Sequence, residues 1–152
     1  MKFQKATEFA LYAVLELAAD PARQLTAVEI ADKYGISAHH LAKVLRDLGR
    51  AGLVDAVRGV GGGYRFAGNA KRLTLMDVIR LFEDVGTDSS DTAPRTTGED
   101  IAEGLRFVVA ELDAQTSATL RSISLSTMLK LVARHPWATE ARPARRAARR
   151  AR

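Results

Sequence analysis

Three side chains that can donate hydrogen bonds to nucleic acid, His39, His40 and Lys43, lie close together in the sequence. Ser37 precedes them and can cap a helix, which would place all three near a helix N-terminus. Imidazole and ammonium donors at such a position suit base edges in the major groove, and a lysine can reach guanine acceptors or a phosphate. The alternative interpretation is an ordinary solvated helix face.

A second candidate group surrounds Arg58, which opens the glycine-rich segment RGVGGGY. Glycines let a backbone approach a duplex closely, and a guanidinium can enter a narrow minor groove, where the potential is most negative. We therefore predict DNA contact by Arg58, Gly59, Gly61 and Tyr64, with a tight hairpin carrying an exposed arginine as the alternative. The glycines do not predict a dinucleotide site, because they join two strands rather than a strand and a helix.

Lysines near the N-terminus form a weaker candidate group. Lys2 and Lys5 could hold phosphates and set the register of a bound duplex without reading its sequence. The last eleven residues, RPARRAARRAR, carry six arginines and no acid, which is typical of a segment that binds polyanions without sequence preference. A solubilising extension remains an equal alternative for this tail.

The elements that must position these residues can be read from apolar spacing. Apolar residues predict a helix over about 7–19, a second from the cap Thr26 to Gly35, and a third after Ser37 with Leu41, Val44, Leu45 and Leu48 on its buried side. Residues 53–57 and 64–66 alternate as two strands of a hairpin. A short helix, a turn, a longer helix and a glycine-rich hairpin together predict a winged helix-turn-helix.

The second half of the chain predicts a different kind of unit. Thr74 caps a helix over 75–85, and a polar segment, GTDSSDTAPRTTG, follows. A long helix over about 99–121 carries an apolar series at heptad-like spacing, which predicts helix-to-helix dimerisation; its members are Ile101, Leu105, Val108, Leu112 and Thr119. Ser124 or Ser126 caps a last helix that ends near Pro136, and the arginine tail beyond it is predicted to be disordered.

These elements give a chain that is mainly α with a small β-hairpin, in four parts. We predict a DNA-binding domain over 1–68, a connecting helix and loop over 69–98, a dimerisation helix with a closing helix over 99–134, and a basic tail over 135–152. The net charge is +4 over residues 1–72 and −5 over 73–141, which fits one surface facing DNA and another turned away from it.

Composition excludes several other classes of function. The chain has no cysteine, so disulfides, thiolate zinc sites and cysteine-ligated iron–sulfur clusters are excluded. The three histidines have no metal-binding spacing and no serine lies in a nucleophile elbow, so we predict neither an enzyme nor a cofactor. No apolar run reaches the roughly 18 residues of a membrane span, and we expect a cytoplasmic protein.

Four stretches of the sequence resemble the IscR/NsrR-type winged-helix regulators. They are KATEFALYAVLELA, ISAHHLAKVLRDLGRAGLVDAVRGVGGGYRF, LTLMDVIRLFE and LRSISLSTML, which together span about residues 2–134. The most specific part is AGLVDAVRGVGGGY at 51–64. The resemblance implies a dimer with crossing long helices that reads a palindromic operator. It places His39, His40 and Lys43 on the base-reading face, and it matches Arg58, at the root of the wing, to the wing arginine that enters the minor groove.

One departure from that family is large. Most members repress transcription and respond to iron–sulfur status, nitric oxide or redox state, and the cluster-binding members carry cysteines in the loop before the dimerisation helix. This chain offers only Ser, Thr and Asp there, and Glu8, where some relatives supply a carboxylate ligand, cannot make a soft-iron site alone. The chain resembles the cysteine-poor members of the family, which implies control by a partner protein or another signal.

Two functions follow from the sequence. The first is a homodimeric repressor that binds a palindromic operator in double-stranded DNA. The second is a protein–protein interaction module in which the winged helix and the acidic half bind a partner. The basic first half and Arg58 favour the first.

Overall fold

The computed structural model describes residues 2–84 and 99–135 of the 152-residue chain. Six helices and one two-stranded antiparallel sheet make up this described part: α1 Lys5–Ala19, α2 Ala27–Tyr34, α3 Ala38–Arg50, β1 Val54–Val57, β2 Gly63–Phe66, α4 Leu75–Ile79, α5 Glu99–Ser122 and α6 Leu125–Arg134. The predicted fold class, mainly helical with a small hairpin and a long C-terminal helix, is confirmed. Within these residues, no helix is both long and apolar enough to cross a membrane.

Side-chain caps define where the short helices begin. Thr26 caps α2 by accepting from the Glu29 amide at 3.1 Å, and the Glu29 carboxylate accepts from the Thr26 amide at 2.7 Å. This reciprocal capping box lowers the pKa of Glu29, chiefly through the bond from the Thr26 backbone. Ser37 caps α3 through the His40 amide. Both caps lie where the sequence predicts them.

The core is built where α1, α3 and α4 meet. The predicted apolar stripe of α3 is buried, with Leu41, Leu45 and Leu48 wholly inaccessible to solvent. α2 is also joined to α1 at the surface: the Tyr34 hydroxyl donates to Glu16 Oε2 at 2.7 Å, and the Tyr12 and Tyr34 rings stack with centroids 4.9 Å apart. The helix-turn-helix is thereby held against the first helix from two sides.

The hairpin is joined to the rest of the fold at its base. β1 and β2 pair in register from Val54 with Phe66 to Val57 with Gly63. A further bridge pairs Tyr64 with Leu25, the residue just before the cap of α2, through backbone bonds of 2.9 and 2.7 Å. This third short strand position is absent from the sequence prediction, because a single paired residue leaves no alternating pattern.

A second backbone bridge fastens α6 to the segment before α4. Thr74 pairs with Ser124, and the flanking bonds run from the Leu75 amide to the Ile123 carbonyl at 2.9 Å and from the Leu125 amide to the Leu73 carbonyl at 2.8 Å. Ser124, and not Ser126, caps α6 by accepting from the Thr127 amide. The junction between α5 and α6 is therefore part of the same body as α1 and α4.

One predicted helix needs correction, and two predicted segments lie outside the described residues. The helix predicted over 75–85 is wrong in its second half, because α4 ends at Ile79 and the chain tightens into turns with bonds such as Phe82 amide to Ile79 carbonyl at 3.0 Å. Beyond those turns, the Glu83 carboxylate accepts hydrogen bonds from α1. The predicted loop over 86–98 and the tail from residue 136 onward lie outside the described residues.

Candidate nucleic-acid interface

The exposed side of α3 carries the predicted base-reading residues. His39, His40 and Lys43 are all exposed, on the side of the helix away from the buried leucines. The two imidazole rings lie with centroids 6.1 Å apart and are tilted by 49°. Ser37 is exposed, and its hydroxyl oxygen accepts from the His40 amide at 3.4 Å, so this side chain helps to fix the helix start beside the rings.

The helical periodicity extends this face to a residue that sequence reasoning passed over. Positions 39, 43, 46 and 50 follow one another at spacings of four, three and four, so they line one side of an α-helix. Arg46 and Arg50 are exposed like Lys43. Arg50 lies 3.6 Å from Asp47 in a surface ion pair, and Arg46 occupies the position between Lys43 and Arg50 in the row. The signal that could have found Arg46 was this same spacing.

The tip of the hairpin presents Arg58 and Val60 to solvent. Gly59 and Gly61, on either side of Val60, have φ angles of 103° and 75°, in the region that side chains other than glycine rarely adopt. A β-carbon at either position would meet nothing within 4 Å, so these glycines are required by backbone shape and leave the tip sterically open. The open tip suits close approach to another molecule.

The next two glycines have a different role. A β-carbon on Gly62 would lie 2.4 Å from the Val57 carbonyl oxygen, and one on Gly63 would lie 2.7 Å from that of Leu25. These positions must be glycine because the hairpin closes on itself and on the strand-like residue before α2. The glycine-rich run therefore combines two requirements, a free tip and a tightly packed base.

Tyr64 belongs to the base and not to the tip. Its backbone forms the bridge to Leu25, and its half-buried side chain packs against the core. It offers less surface to a ligand than Arg58 does. The structure thus separates the predicted hairpin residues into an exposed group of Arg58, Gly59 and Gly61 and a packed residue, Tyr64.

The N-terminal lysines flank a contact that fixes the start of α1. Lys2 and Lys5 are exposed. Gln4 lies between the two lysines and Thr7 follows Lys5 by two positions. The Gln4 amide and the hydroxyl of the fully buried Thr7 both donate to Glu83 Oε1 at 2.7 Å. These bonds, that from the Thr7 side chain first, lower the pKa of Glu83. The segment carrying both lysines is consequently held against the turns that follow α4.

The predicted dimerisation series lies on an exposed face of α5. Ile101 is 75% exposed, Leu105 62% and Leu112 58%, and Val108 and Val109 are similarly open. The same side of the helix continues toward its C-terminus into the half-buried Leu120, which packs against the core. One apolar face of α5 is therefore covered by the chain's own body at one end and uncovered at the other.

The family of this chain is shown by comparison with known proteins. The family model described as "Rrf2: Iron-dependent Transcriptional regulator" matches residues 3–131. The chain belongs to the Rrf2 family. It is also 52% identical over 143 residues to the HTH-type transcriptional regulator BadM of Rhodopseudomonas palustris, covering 94% of this chain and 90% of that protein.

Solved structures place this Rrf2 chain in the same fold. CymR, the global cysteine regulator of B. subtilis, superposes with a TM-score of 0.71 at 22% identity, covering 86% of this chain and 98% of that one. IscR of T. potens superposes with a TM-score of 0.60 at 26% identity, covering 86% and 87%. The predicted resemblance to IscR-type winged-helix regulators is confirmed, and the chain is a transcriptional regulator by family.

The donor set of this Rrf2 chain does not fit a thiolate-ligated iron centre. The full sequence has no cysteine. Residues 2–84 and 99–135 hold no group of three or more His, Asp or Glu side chains that could share a metal ion. Glu8 is half-buried in the first turn of α1 and belongs to no such group in this part of the chain. The word "iron-dependent" therefore describes the family and not a site found among these residues.

Proposed function

We propose that this Rrf2 protein is a homodimeric repressor that binds a palindromic operator, with α3 in the major groove and the hairpin tip at the adjacent minor groove. The observation that carries the proposal is the basic row of α3. His39, Lys43, Arg46 and Arg50 lie opposite the buried leucines of the same helix, so the helix can enter a groove without uncovering its core.

The hairpin tip adds a second contact. Arg58 precedes two glycines with positive φ, and neither leaves a side chain between the tip and a duplex. A guanidinium on such a tip fits the narrow minor groove, where it meets the most negative potential. Lys2 and Lys5, exposed beside the first turn of α1, would add phosphate contacts that set register.

The uncovered end of α5 supports the dimer. Ile101, Leu105, Val108 and Leu112 form an exposed apolar series of the kind that marks an interaction surface, and a second copy of the same helix has a matching face. Two copies would hold two recognition helices about one turn of DNA, or a multiple of it, apart. A palindromic operator follows from that two-fold symmetry.

We further propose that the protein acts in the cytoplasm and does not sense through a cysteine-ligated cluster, because no thiolate is present in the chain. A partner protein or a small effector would then supply the signal. The domain division predicted above is retained in this proposal, with the winged helix as the DNA-binding part and α5 and α6 as the dimerisation part.

The test is a binding selection from genomic fragments with the full-length protein at roughly physiological salt. A recovered palindrome, bound with an affinity that falls as salt rises, would support the proposal. A full-length control keeps the helices and removes the tail charge by glutamine substitution of Arg142, Arg145, Arg146, Arg149, Arg150 and Arg152. If the recovered fragments share no sequence, and the variant without the tail charge recovers none, operator binding would be refuted and the interaction module favoured.

A further inference from the structure

An open groove of about 680 Å³ lies between the winged helix and α6. It is bounded by the end of α1, the end of β2, the segment between β2 and α4, and one side of α6. Its volume falls in the range of about 300–1,000 Å³ that small-molecule sites occupy. The lining residues are Ala18, Pro21, Phe66, Gly68, Asn69, Ala70, Lys71, Ser126, Leu129, Lys130 and Ala133.

The wall of this α1–α6 groove is held in shape by the backbone. The Ser126 amide donates to the Ala70 carbonyl at 2.8 Å, which joins α6 to the β2–α4 segment directly at the groove. Asn69 closes a turn in that segment, since its side chain accepts from the Lys71 amide at 3.0 Å and its carbonyl accepts from the Leu73 amide at 2.9 Å. The groove is therefore preformed, which reduces the cost of ordering on binding.

The residues that line the groove are apolar or positively charged, apart from a few neutral polar ones. The charged residues that line the groove are Lys71 and Lys130, both exposed, and the lining includes no acidic residue. Phe66, Leu129 and Ala18 supply apolar surface between the two lysines' segments. A ligand that satisfies both features has an apolar body and an anionic group. Uncharged apolar molecules would leave the lysines unused, and cations would be repelled.

The arginine-rich C-terminal sequence does not suit this groove. Residues 142–152 carry six arginines and no acid, so their charge has the same sign as Lys71 and Lys130. The charge of the groove instead favours a separate anionic molecule.

We propose that the α1–α6 groove binds a small organic anion with an apolar body, and that this ligand changes the affinity of the protein for DNA. The second half rests on the proposed function. An occupant would contact Phe66, at the end of the hairpin strand, and Leu129 and Lys130 of α6 at the same time. It would thus link the hairpin that presents Arg58 to the helix that follows α5.

The binding test uses the full-length protein without DNA, so that its outcome does not depend on operator recognition. Calorimetry would compare straight-chain carboxylates from butanoate to octanoate with primary alcohols of the same lengths. We expect saturable binding that strengthens with chain length, and octanoate to bind at least about tenfold more tightly than octanol, because a charge-assisted bond to lysine is lost in the alcohol.

Two variants and a matched control locate the site. Lys71→Met with Lys130→Met keeps the length of both side chains and removes their charge, and it should weaken octanoate binding by about tenfold or more. Ala133→Trp, at an exposed position of α6, should fill the groove and abolish binding. Arg80→Met with Arg121→Met removes two exposed charges outside the groove and should leave the dissociation constant within about twofold.

Each outcome decides the proposal. No saturable binding of any carboxylate at millimolar concentration, or equal binding of acid and alcohol, would overturn the anion site. The anion site would also be overturned if the Ala133→Trp variant, shown to be folded by circular dichroism, bound octanoate with unchanged affinity. If octanoate binds but leaves the affinity for a selected DNA fragment unchanged, only the proposed effect of the ligand on DNA binding would be refuted. If no DNA is selected, the proposed operator binding would be refuted, and the measurement of octanoate binding would still decide the anion site.

Discussion

Helices α3 and α5 both carry apolar residues three and four positions apart, but these residues are buried in α3 and exposed in α5. In α3, Leu41 and Leu45 are wholly buried against the chain's own core. In α5, Leu105 and Leu112 stay more than half exposed. The spacing is therefore the same in both helices, but it corresponds to a buried face in α3 and to an exposed face in α5, which we propose is buried between two subunits.

The comparison also separates two kinds of stability. The packing of α3 is complete in a single chain, so its contribution should not depend on protein concentration. In the proposed dimer, a second copy buries the uncovered half of α5, so its contribution should follow the equilibrium of association. Changes placed in one helix or the other should distinguish these two kinds directly.

The largest effect should come from charging the exposed face of α5. Leu105→Glu with Leu112→Glu would place carboxylates in the proposed apolar contact between subunits, where an unpaired charge is very costly. We expect a monomer at micromolar concentration by light scattering, with the helical content of the winged helix retained.

The matched control for that variant adds the same charge to the other side of the same helix. Ala110→Glu with Ala114→Glu lies roughly opposite the Leu105–Leu112 face by helical periodicity, at exposed positions. It should remain dimeric. A Leu105/Leu112 variant that is still a dimer would place the interface on another surface.

A smaller but still substantial effect is expected from the core of α3. Leu45→Ala should lower the free energy of unfolding by about 2–5 kcal/mol, because it leaves a cavity beside α1. Urea denaturation at two protein concentrations would measure it, and the loss should be the same at both. Leu105→Ala is the comparison, since its effect should change with concentration; a concentration-dependent loss for Leu45→Ala would contradict the distinction between the two helices.

Arg58→Ala should affect DNA binding without affecting either kind of stability. Removing the guanidinium from the hairpin tip should weaken operator affinity by about 1–3 kcal/mol in a gel-shift titration, while the dimer persists. Arg65→Ala removes the same charge from the strand of the same hairpin, where the side chain lies 3.6 Å from Asp55, and should cost less. Equal losses would mean that the tip has no special role.

The smallest effect concerns acid stability of the winged helix. The bonds from Thr7 and Gln4 lower the pKa of Glu83 in the folded chain. A carboxyl with a depressed folded pKa binds more protons when unfolded, so its contribution is present above about pH 4.3 and is lost as the pH falls through the folded value. Glu83→Gln should therefore flatten the acid decline in thermal stability; Glu103→Gln, on exposed α5, is the control.

Much of the fold could be predicted from the sequence because its signals are local. Thr26 and Glu29 form a capping box within four residues, and the α3 leucines follow helical spacing. The bridges of Leu25 to Tyr64 and of Thr74 to Ser124 could not be predicted, since each joins single residues far apart in the chain. The helix after Thr74 is too long in the prediction for the same reason: Glu83 is engaged by α1, which no local pattern reveals.

The candidate interface shows the same division. Exposure of His39, His40, Lys43 and Arg58 follows from polar residues lying off an apolar stripe or in a turn, and the structure places all of them at the surface. The packing of Tyr64 against the core, in contrast, depends on where the segment before α2 lies. The roles of these residues in DNA binding stay predictions until the operator is measured.

The base of the hairpin has a consequence for the entropy of recognition. Backbone bonds from Tyr64 to Leu25, together with the strand pairing, restrict the hairpin on both sides, and its base packs too tightly at Gly62 and Gly63 to admit a side chain. Ordering a residue costs roughly 1–2 kcal/mol of conformational free energy. A hairpin that became ordered along its whole length only on binding would therefore lose much of its affinity for DNA. Here that loss falls on the few residues around Val60, and the remainder of the hairpin arrives already ordered.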